Sequence, residues 1–155
     1  MNILNDEQCS LFKTFVENHD FFIIAGHKEP DGDCISCCIG MANLIEQFGK
    51  PYQLLSAGPF KRTEIKKYAS RFSNALDFMT QAERDKTGLI IVDCSELSRL
   101  GDIDGDIKGF DTFIIDHHKT ADASWATYII DPSAPAACLL VQQLYERLAG
   151  KIDTQ

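Results

Sequence analysis

The sequence predicts an α/β domain, doubly wound, with a mainly parallel sheet and helices on both faces. Two observations carry this expectation. Four short apolar runs, at 21–25, 89–92, 113–115 and 128–130, are continuous rather than alternating, as expected of parallel strands covered on both faces. Segments of helical period lie between and beside them, giving the order β-α-β-α-β-β with helical flanks. The chain has 155 residues, 45% hydrophobic and 25% charged, with no repeat and no low-complexity tract, which suits one domain with a substantial core.

The elements follow in order. Asn5 can cap a first helix that sets Leu11, Phe12, Phe15 and Val16 on one face and ends near 18–20. His19 in that connection reads as a solvated surface histidine. Phe21-Phe22-Ile23-Ile24-Ala25 is the first strand, and Gly26-His27-Lys28-Glu29-Pro30-Asp31-Gly32-Asp33 follows it as a tight turn. A helix over about 33–48 keeps Ile35, Cys38, Ile39, Ala42, Ile45 and Phe48 at helical spacing, and Gly49 with Pro51 stops it. A strand over 52–55 closes at Gly58-Pro59. Residues 61–69 should be helical, and Lys61, Arg62, Lys66, Lys67 and Arg71 form the one basic cluster of the chain. That cluster reads as a solvated helix face, with phosphate steering as the alternative. Residues 74–87 fit a short helix or strand with a loop. After the remaining three strands, a last helix runs from Ser133 or Pro135 to about Leu148, with Ala137, Val141, Leu144 and Leu148 inward and Gly150 as its stop.

Composition removes several function classes. The longest apolar runs are about five residues, far short of the roughly 20 that span a bilayer. The N-terminus lacks a basic n-region and a long apolar core, so the expected address is cytoplasmic, with no membrane partner. The six cysteines, at 9, 34, 37, 38, 94 and 138, have no secretory context, no second pair for a four-cysteine zinc site and no thioredoxin-like setting. They read as small buried core thiols. A formal charge of −8 argues against a duplex nucleic acid held by a basic surface. Asp102, Asp104 and Asp106 imitate a calcium loop, but the glycine is misplaced and Phe113 stands where the closing Glu should be. No G-x-G-x-x-G follows the first strand, so a dinucleotide-cofactor domain ranks low.

The chemistry gathers at strand ends, where ligands bind in folds of this kind. The first strand runs into His27, Asp31 and Asp33, the Leu89 strand ends at Asp93, and the Phe113 strand ends at Asp116-His117-His118. Taken singly, Asp93 could cap a helix, and Asp131 before Pro132-Ser133 reads as such a cap. Converging carboxylates repel one another and resist desolvation, and divalent cations are the natural compensation. An oxygen and imidazole set without cysteine suits manganese, with magnesium or cobalt as substitutes. Two metals roughly 3.5–4 Å apart, bridged by a carboxylate, can clamp a phosphoryl group and generate hydroxide.

These residues resemble the DHH phosphoesterase superfamily, whose name-giving triplet stands here as Asp116-His117-His118. The nanoRNase/pAp-phosphatase family is the nearest likeness, itself similar to RecJ-type exonucleases and manganese-dependent class II pyrophosphatases. His27-Lys28-Glu29-Pro30-Asp31-Gly32-Asp33 fits the first family motif, Val92-Asp93-Cys94-Ser95 the second and the triplet the third, and the likeness covers about residues 20–150. The resemblance implies that His27 and Asp31 hold one metal, that Asp33 and His117 hold the other, and that Asp93 bridges them. It implies that His118 faces the substrate phosphate or helps protonate the leaving group, while Asp116 orients the imidazoles. Arg99, in an Arg-x-Gly element, takes a supporting structural role.

The chain departs from the family in two places. Cys34-Ile35-Ser36-Cys37 stands where the family usually has Ala-Ile/Leu-Gly-Ser. A fourth motif with a further metal-binding Asp, and the DHH-associated domain after it, are absent, and Asp153 does not replace that ligand. The expectation is an N-terminal catalytic DHH domain spanning 1–155, cut before the fourth motif. Its parent would be a phosphoesterase with two manganese ions, acting on short single-stranded RNA and on adenosine 3′,5′-bisphosphate (pAp). Alternatives are a cyclic-dinucleotide phosphodiesterase, a class II-like pyrophosphatase, or a non-catalytic metal- or nucleotide-binding fragment. A homodimer is compatible with all of them.

Overall fold

The computed structural model describes residues 3–119 and 122–149. Gly150 and Asp153, which figured in the sequence reading, lie outside the described residues. Five parallel strands form one sheet in the order β2-β1-β3-β4-β5, where β1 is Phe21–Ala25, β2 Tyr52–Leu55, β3 Thr87–Val92, β4 Asp111–Asp116 and β5 Thr127–Ile130. The chain steps from β1 to β2 on one side, then crosses back to β3 and proceeds outward. The strand order therefore reverses between β1 and β3, which opens a crevice beyond their carboxyl ends.

The three long helices, α1 (Asp6–Glu17), α2 (Gly32–Gln47) and α4 (Ala137–Leu148), share one face of the sheet. Phe12, Phe15, Met41, Leu44, Leu140 and Leu144 pack there on Phe22, Ile24, Ile90, Val92, Phe113 and Ile115. The alternate strand residues Ile23, Leu89, Ile91 and Ile114 point to the other face. Right-handed crossovers from β2 to β3, β4 and β5 must pass on that side. They do so as loops and short helical turns, including the 3-10 helix Leu97–Leu100, that bring Leu76, Met79, Leu97, Leu100, Ile103, Phe110 and Ala123 onto the sheet. Burial on both faces explains why β1, β3 and β4 are continuous rather than alternating, while β5 at the edge leaves Tyr128 50% exposed. Among the described residues, no helix is long and apolar enough to cross a membrane.

Local signals place most boundaries. Asn5 caps α1 through a capping box with Gln8, its Oδ1 accepting from Gln8 N at 2.8 Å and its own N–H donating to Gln8 Oε1 at 3.0 Å. Phe12, Phe15 and Val16 are buried as expected, but Leu11 is 44% exposed, because the apolar stripe turns past it.

His19 corrects the sequence reading more sharply. It is 4% exposed rather than solvated. Its Nδ1 donates to the Phe15 carbonyl at 2.7 Å and its Nε2 meets Asp111 Oδ2 at 3.0 Å. It thus satisfies the end of α1 and ties it to the start of β4, while its ring packs 4.5 Å from that of Phe15. A polar residue just past a helix looks exposed in sequence, and only the return of β4 beside it buries it.

The basic segment forms a 3-10 helix over Thr63–Arg71, with Ile65 as its buried residue. Lys61 pairs with Glu29 of the turn after β1 at 2.7 Å. The segment 74–87 contains a short helix, α3 (Gln81–Asp85), and the start of β3. Asp131 does not cap the last helix. Its Oδ1 accepts from Ser133 N and Oγ at 2.9 and 2.6 Å, closing a local turn. That helix starts later, at Ala137, and takes its cap from elsewhere.

Candidate metal centre

The turn after β1 carries three of the site side chains. Asp31 is the N-cap of α2, its Oδ1 accepting from Cys34 N at 2.9 Å, so α2 and the turn form one unit. Lys28 N donates to the Arg99 carbonyl at 2.8 Å and Glu29 N to the Gly58 carbonyl at 2.9 Å, which pins the turn between the loops after β3 and β2. Glu29 has φ 49° and Asp93, directly after β3, has φ 63°. Left-handed backbone at non-glycine residues is strained and collects at functional sites. At Asp93 it swings the carboxylate into the crevice while the backbone N–H stays bonded to the Ile115 carbonyl at 2.9 Å.

Asp93 stands between two imidazoles. Its Oδ2 lies 3.3 Å from His27 Nε2, and its Oδ1 lies 3.4 Å from His117 Nε2. Asp31 Oδ1 is 3.9 Å from the same His27 nitrogen, and Asp33 Oδ2 is 3.6 Å from the His117 nitrogen. The residues therefore fall into two donor sets that share Asp93. Each ring is oriented by its other nitrogen, with His27 Nδ1 donating to the Lys28 carbonyl at 2.8 Å and His117 Nδ1 to the Ala134 carbonyl at 3.2 Å. With Nδ1 bonded to a carbonyl, Nε2 is the nitrogen of each ring that faces the crevice and that a cation would take in its deprotonated form.

Asp33 has a second duty. Its carboxylate accepts from Ala137 N at 3.1 Å and Cys138 N at 3.0 Å, which makes it the cap that Ala136 cannot supply to α4. Burial acts to raise its carboxyl, but these amides and the Cys138 thiol outweigh it and hold the group below the usual range. Asp93 moves the other way, raised mainly by burial and further by the charges of Asp33 and Asp31, with His27 opposing. His27 is pushed up to about 11, chiefly by Asp93 and then by Cys34, against a desolvation that lowers it.

The donor atoms fit a divalent metal. Asp93 is 3% exposed, and its Oδ1 is buried with no hydrogen-bond partner, a costly state for a carboxylate oxygen. The separations of 3.3 to 3.9 Å are longer than most hydrogen bonds. The two to Asp93, 3.3 and 3.4 Å, match the spacing of roughly 3.0–3.4 Å between neighbouring donors on one cation with bonds of about 2.1 Å, and the two to Asp31 and Asp33, 3.9 and 3.6 Å, are wider.

His118 and Asp116 sit on the outer side. Asp116, 1% exposed, accepts from His118 Nδ1 at 2.6 Å and from the backbone of His117 at 2.8 Å. His118 is half exposed and lines a cleft of about 110 Å³ with Asp93, Ser95, Glu96 and Arg99. Asp93, Asp116, His117 and His118 present ligand-type atoms within 4.8 Å of one another.

All seven residues expected from the sequence thus meet at one edge of the sheet. Three neighbours stand beside them. Arg99, expected only to support, is exposed and lines the cleft with Ser95. Cys34, read as a core thiol, has its Sγ within 4.8 Å of ligand atoms of His27 and Asp93. Its place in the first turn of α2, three residues after the cap, was the available signal. The remaining cysteines are free, and all but Cys138 are buried. Cys34 itself is lowered to about 6, first by a hydrogen bond from Cys38 and then by His27, against its burial.

A sequence profile of the DHH family, N-terminal domain, matches residues 21–155. A manganese-dependent inorganic pyrophosphatase from Methanothrix thermoacetophila is 30% identical over 129 residues, covering 82% of this chain and 40% of that protein. A bifunctional oligoribonuclease and PAP phosphatase, NrnA, from Thermus thermophilus is 26% identical over 127 residues, covering 81% and 36%. The chain therefore spans about two fifths of the length of these relatives. The crystal structure of an exopolyphosphatase-related protein from Bacteroides fragilis superposes with a TM-score of 0.77 at 18% identity, over 99% of this chain and 47% of that one, a likeness of fold.

Proposed function

The chain belongs to the DHH family, and from that premise we propose that it is the catalytic domain of a cytoplasmic, manganese-dependent phosphoesterase. Its proposed substrates are short single-stranded RNA oligonucleotides and adenosine 3′,5′-bisphosphate. One observation carries the proposal: the buried Asp93 carboxylate turns one oxygen to each of two fixed imidazoles and leaves Oδ1 without a hydrogen-bond partner. In this reading His27, Asp31 and Asp93 would hold one cation, and Asp33, His117 and Asp93 would hold a second. Bound there, the cations supply charge to the transferring phosphoryl group and a nucleophile at neutral pH.

The chain's own groups do the rest. Asp93 sets the spacing of the two positions, and the Lys28 and Ala134 carbonyls stop the imidazoles from turning. Asp116 holds His118 by Nδ1, so Nε2 is the nitrogen that gives a proton to the departing oxygen. The cleft beside it is small and acidic at its base, which suits a substrate anchored through metals rather than a long duplex. The six free thiols agree with a reducing compartment.

Pyrophosphate is the second candidate substrate, because a relative at 30% identity is named a manganese-dependent inorganic pyrophosphatase. The test uses the full protein carrying this domain, with pAp, a ribodinucleotide, a cyclic dinucleotide and pyrophosphate assayed side by side with Mn²⁺. The expected result is mononucleotide release from the dinucleotide and phosphate release from pAp. Turnover of pyrophosphate alone selects the second substrate. No Mn²⁺-dependent turnover of any of the four, or no retained divalent metal in equilibrium dialysis, overturns the proposal.

A further inference from the structure

The first donor set has a neighbour that an oxygen and imidazole site does not require. Cys34 is 1% exposed and lies on the first turn of α2, and its Sγ is within 4.8 Å of ligand atoms of both His27 and Asp93. The space for this sulfur is made by Gly26. A Cβ built there would stand 2.1 Å from Cys34 Sγ, against 3.5 Å from Cys38 Sγ and the Val92 carbonyl. The first residue of the turn thus lacks a side chain where the sulfur lies. A second observation is the Asp93 carboxylate itself, 3% exposed, which turns Oδ2 toward His27 Nε2 at 3.3 Å beside this sulfur.

A shared cation would need the sulfur closer than the 4.8 Å bound within which it lies. With metal–sulfur bonds of about 2.3 Å and metal–nitrogen bonds of about 2.0–2.1 Å, sulfur and nitrogen on one tetrahedral ion stand roughly 3.6 Å apart. A thiolate is a soft donor, and adding it to an imidazole and two carboxylates changes which ions the position prefers.

We propose that Cys34 supplies a thiolate as a further donor to the cation held by His27, Asp31 and Asp93, so that this position, unlike the one at Asp33 and His117, favours thiophilic divalent ions such as Zn²⁺, Co²⁺ or Cd²⁺. The inference rests on the two-cation reading above. On binding, the S–H bond breaks, its proton leaves to solvent, and the sulfur lone pair forms the bond to the ion, with no change of oxidation state. The two positions of the site then differ chemically, and a mixed-metal state becomes the natural one when zinc or cobalt competes with manganese.

Cobalt tests the ligand directly. The full protein is titrated with Co²⁺ and followed by absorbance, with stoichiometry measured in parallel by calorimetry. The expected result is a near-ultraviolet sulfur-to-cobalt charge-transfer band that grows over one equivalent and is lost in Cys34→Ser, while Co²⁺ still binds through the remaining donors. Cys38→Ala and Cys94→Ala keep the band. The Zn²⁺-to-Mn²⁺ affinity ratio falls in Cys34→Ser and in Cys34→Ala, the second variant guarding against a folding defect in the first. Co²⁺ binding at full stoichiometry without the band, or a band that survives in folded Cys34→Ser, overturns the thiolate assignment and leaves the two-cation reading standing. Absence of any Co²⁺ or Mn²⁺ binding overturns both.

Discussion

Asp93→Asn separates the fold from the site. Asparagine keeps the shape of a side chain that is 3% exposed and removes its charge. Without metal, two effects oppose each other. The variant loses the attraction to His27 at 3.3 Å, and it also relieves a buried carboxylate oxygen that has no partner. Each is worth about 1–3 kcal/mol, so the metal-free variant should melt near the metal-free wild type. With metal the two proteins part. An ion present at 100 times its dissociation constant stabilises the wild type by about 2.7 kcal/mol per site. In a domain of this size each kcal/mol shifts Tm by about 2–4 °C, so one occupied position raises it by about 5–11 °C. Since Asp93 serves both donor sets, Asn should abolish most of the rise for both. Differential scanning calorimetry with EDTA and then Mn²⁺ reads the contrast. A variant that keeps the full Mn²⁺-induced rise refutes the argument that Asp93 bridges.

Three further outcomes follow from the geometry. The His27 imidazole, pushed up to about 11 by Asp93 and Cys34, carries a proton on Nε2 at neutral pH, whereas a cation takes the neutral ring. Metal binding must therefore expel a proton, and affinity should rise with pH throughout the range below about 11. Calorimetry in buffers of different ionisation enthalpy checks this, and a pH-independent affinity counts against His27 as a ligand. Replacing His118 by Gln should lower kcat about 10²–10⁴-fold, as expected for loss of a general acid, with Mn²⁺ uptake unchanged because the ring stands outside both donor sets. A loss of metal equal to that in Asp93→Asn would instead make it a ligand. His19→Ala should destabilise the domain by about 1–3 kcal/mol, since it leaves the buried acceptor of Phe15 unpaired; urea denaturation measures it, and a neutral result contradicts the burial.

Much of this protein is readable from its chain. The continuous apolar runs, the Asn5 cap and the break at Gly49 predict strands and helices close to their observed bounds, because each depends on residues within a few positions of one another. The family motifs placed His27, Asp31, Asp33, Asp93 and the Asp116-His117-His118 triplet at strand ends, and the parallel sheet necessarily gathers such ends along one edge. The errors share a different character. His19 is buried by Asp111, 92 residues away. The cap of the last helix comes from Asp33, 104 and 105 residues before the amides it accepts, not from the nearby Asp131. Cys34 is the buried core thiol that the sequence suggested, but its place beside His27, where Gly26 leaves room for its sulfur, is again a tertiary fact.

The first-motif turn shows both levels at once. Its composition announces a cluster of imidazole and carboxylates, since residue types and spacing are local properties. Which oxygen of Asp93 faces which ring was decided by tertiary structure alone, through the left-handed backbone at Asp93 and the register of β1, β3 and β4. Sequence names the donors, but the division into two sets that share one carboxylate arises from distances between strands, and a linear pattern does not encode those.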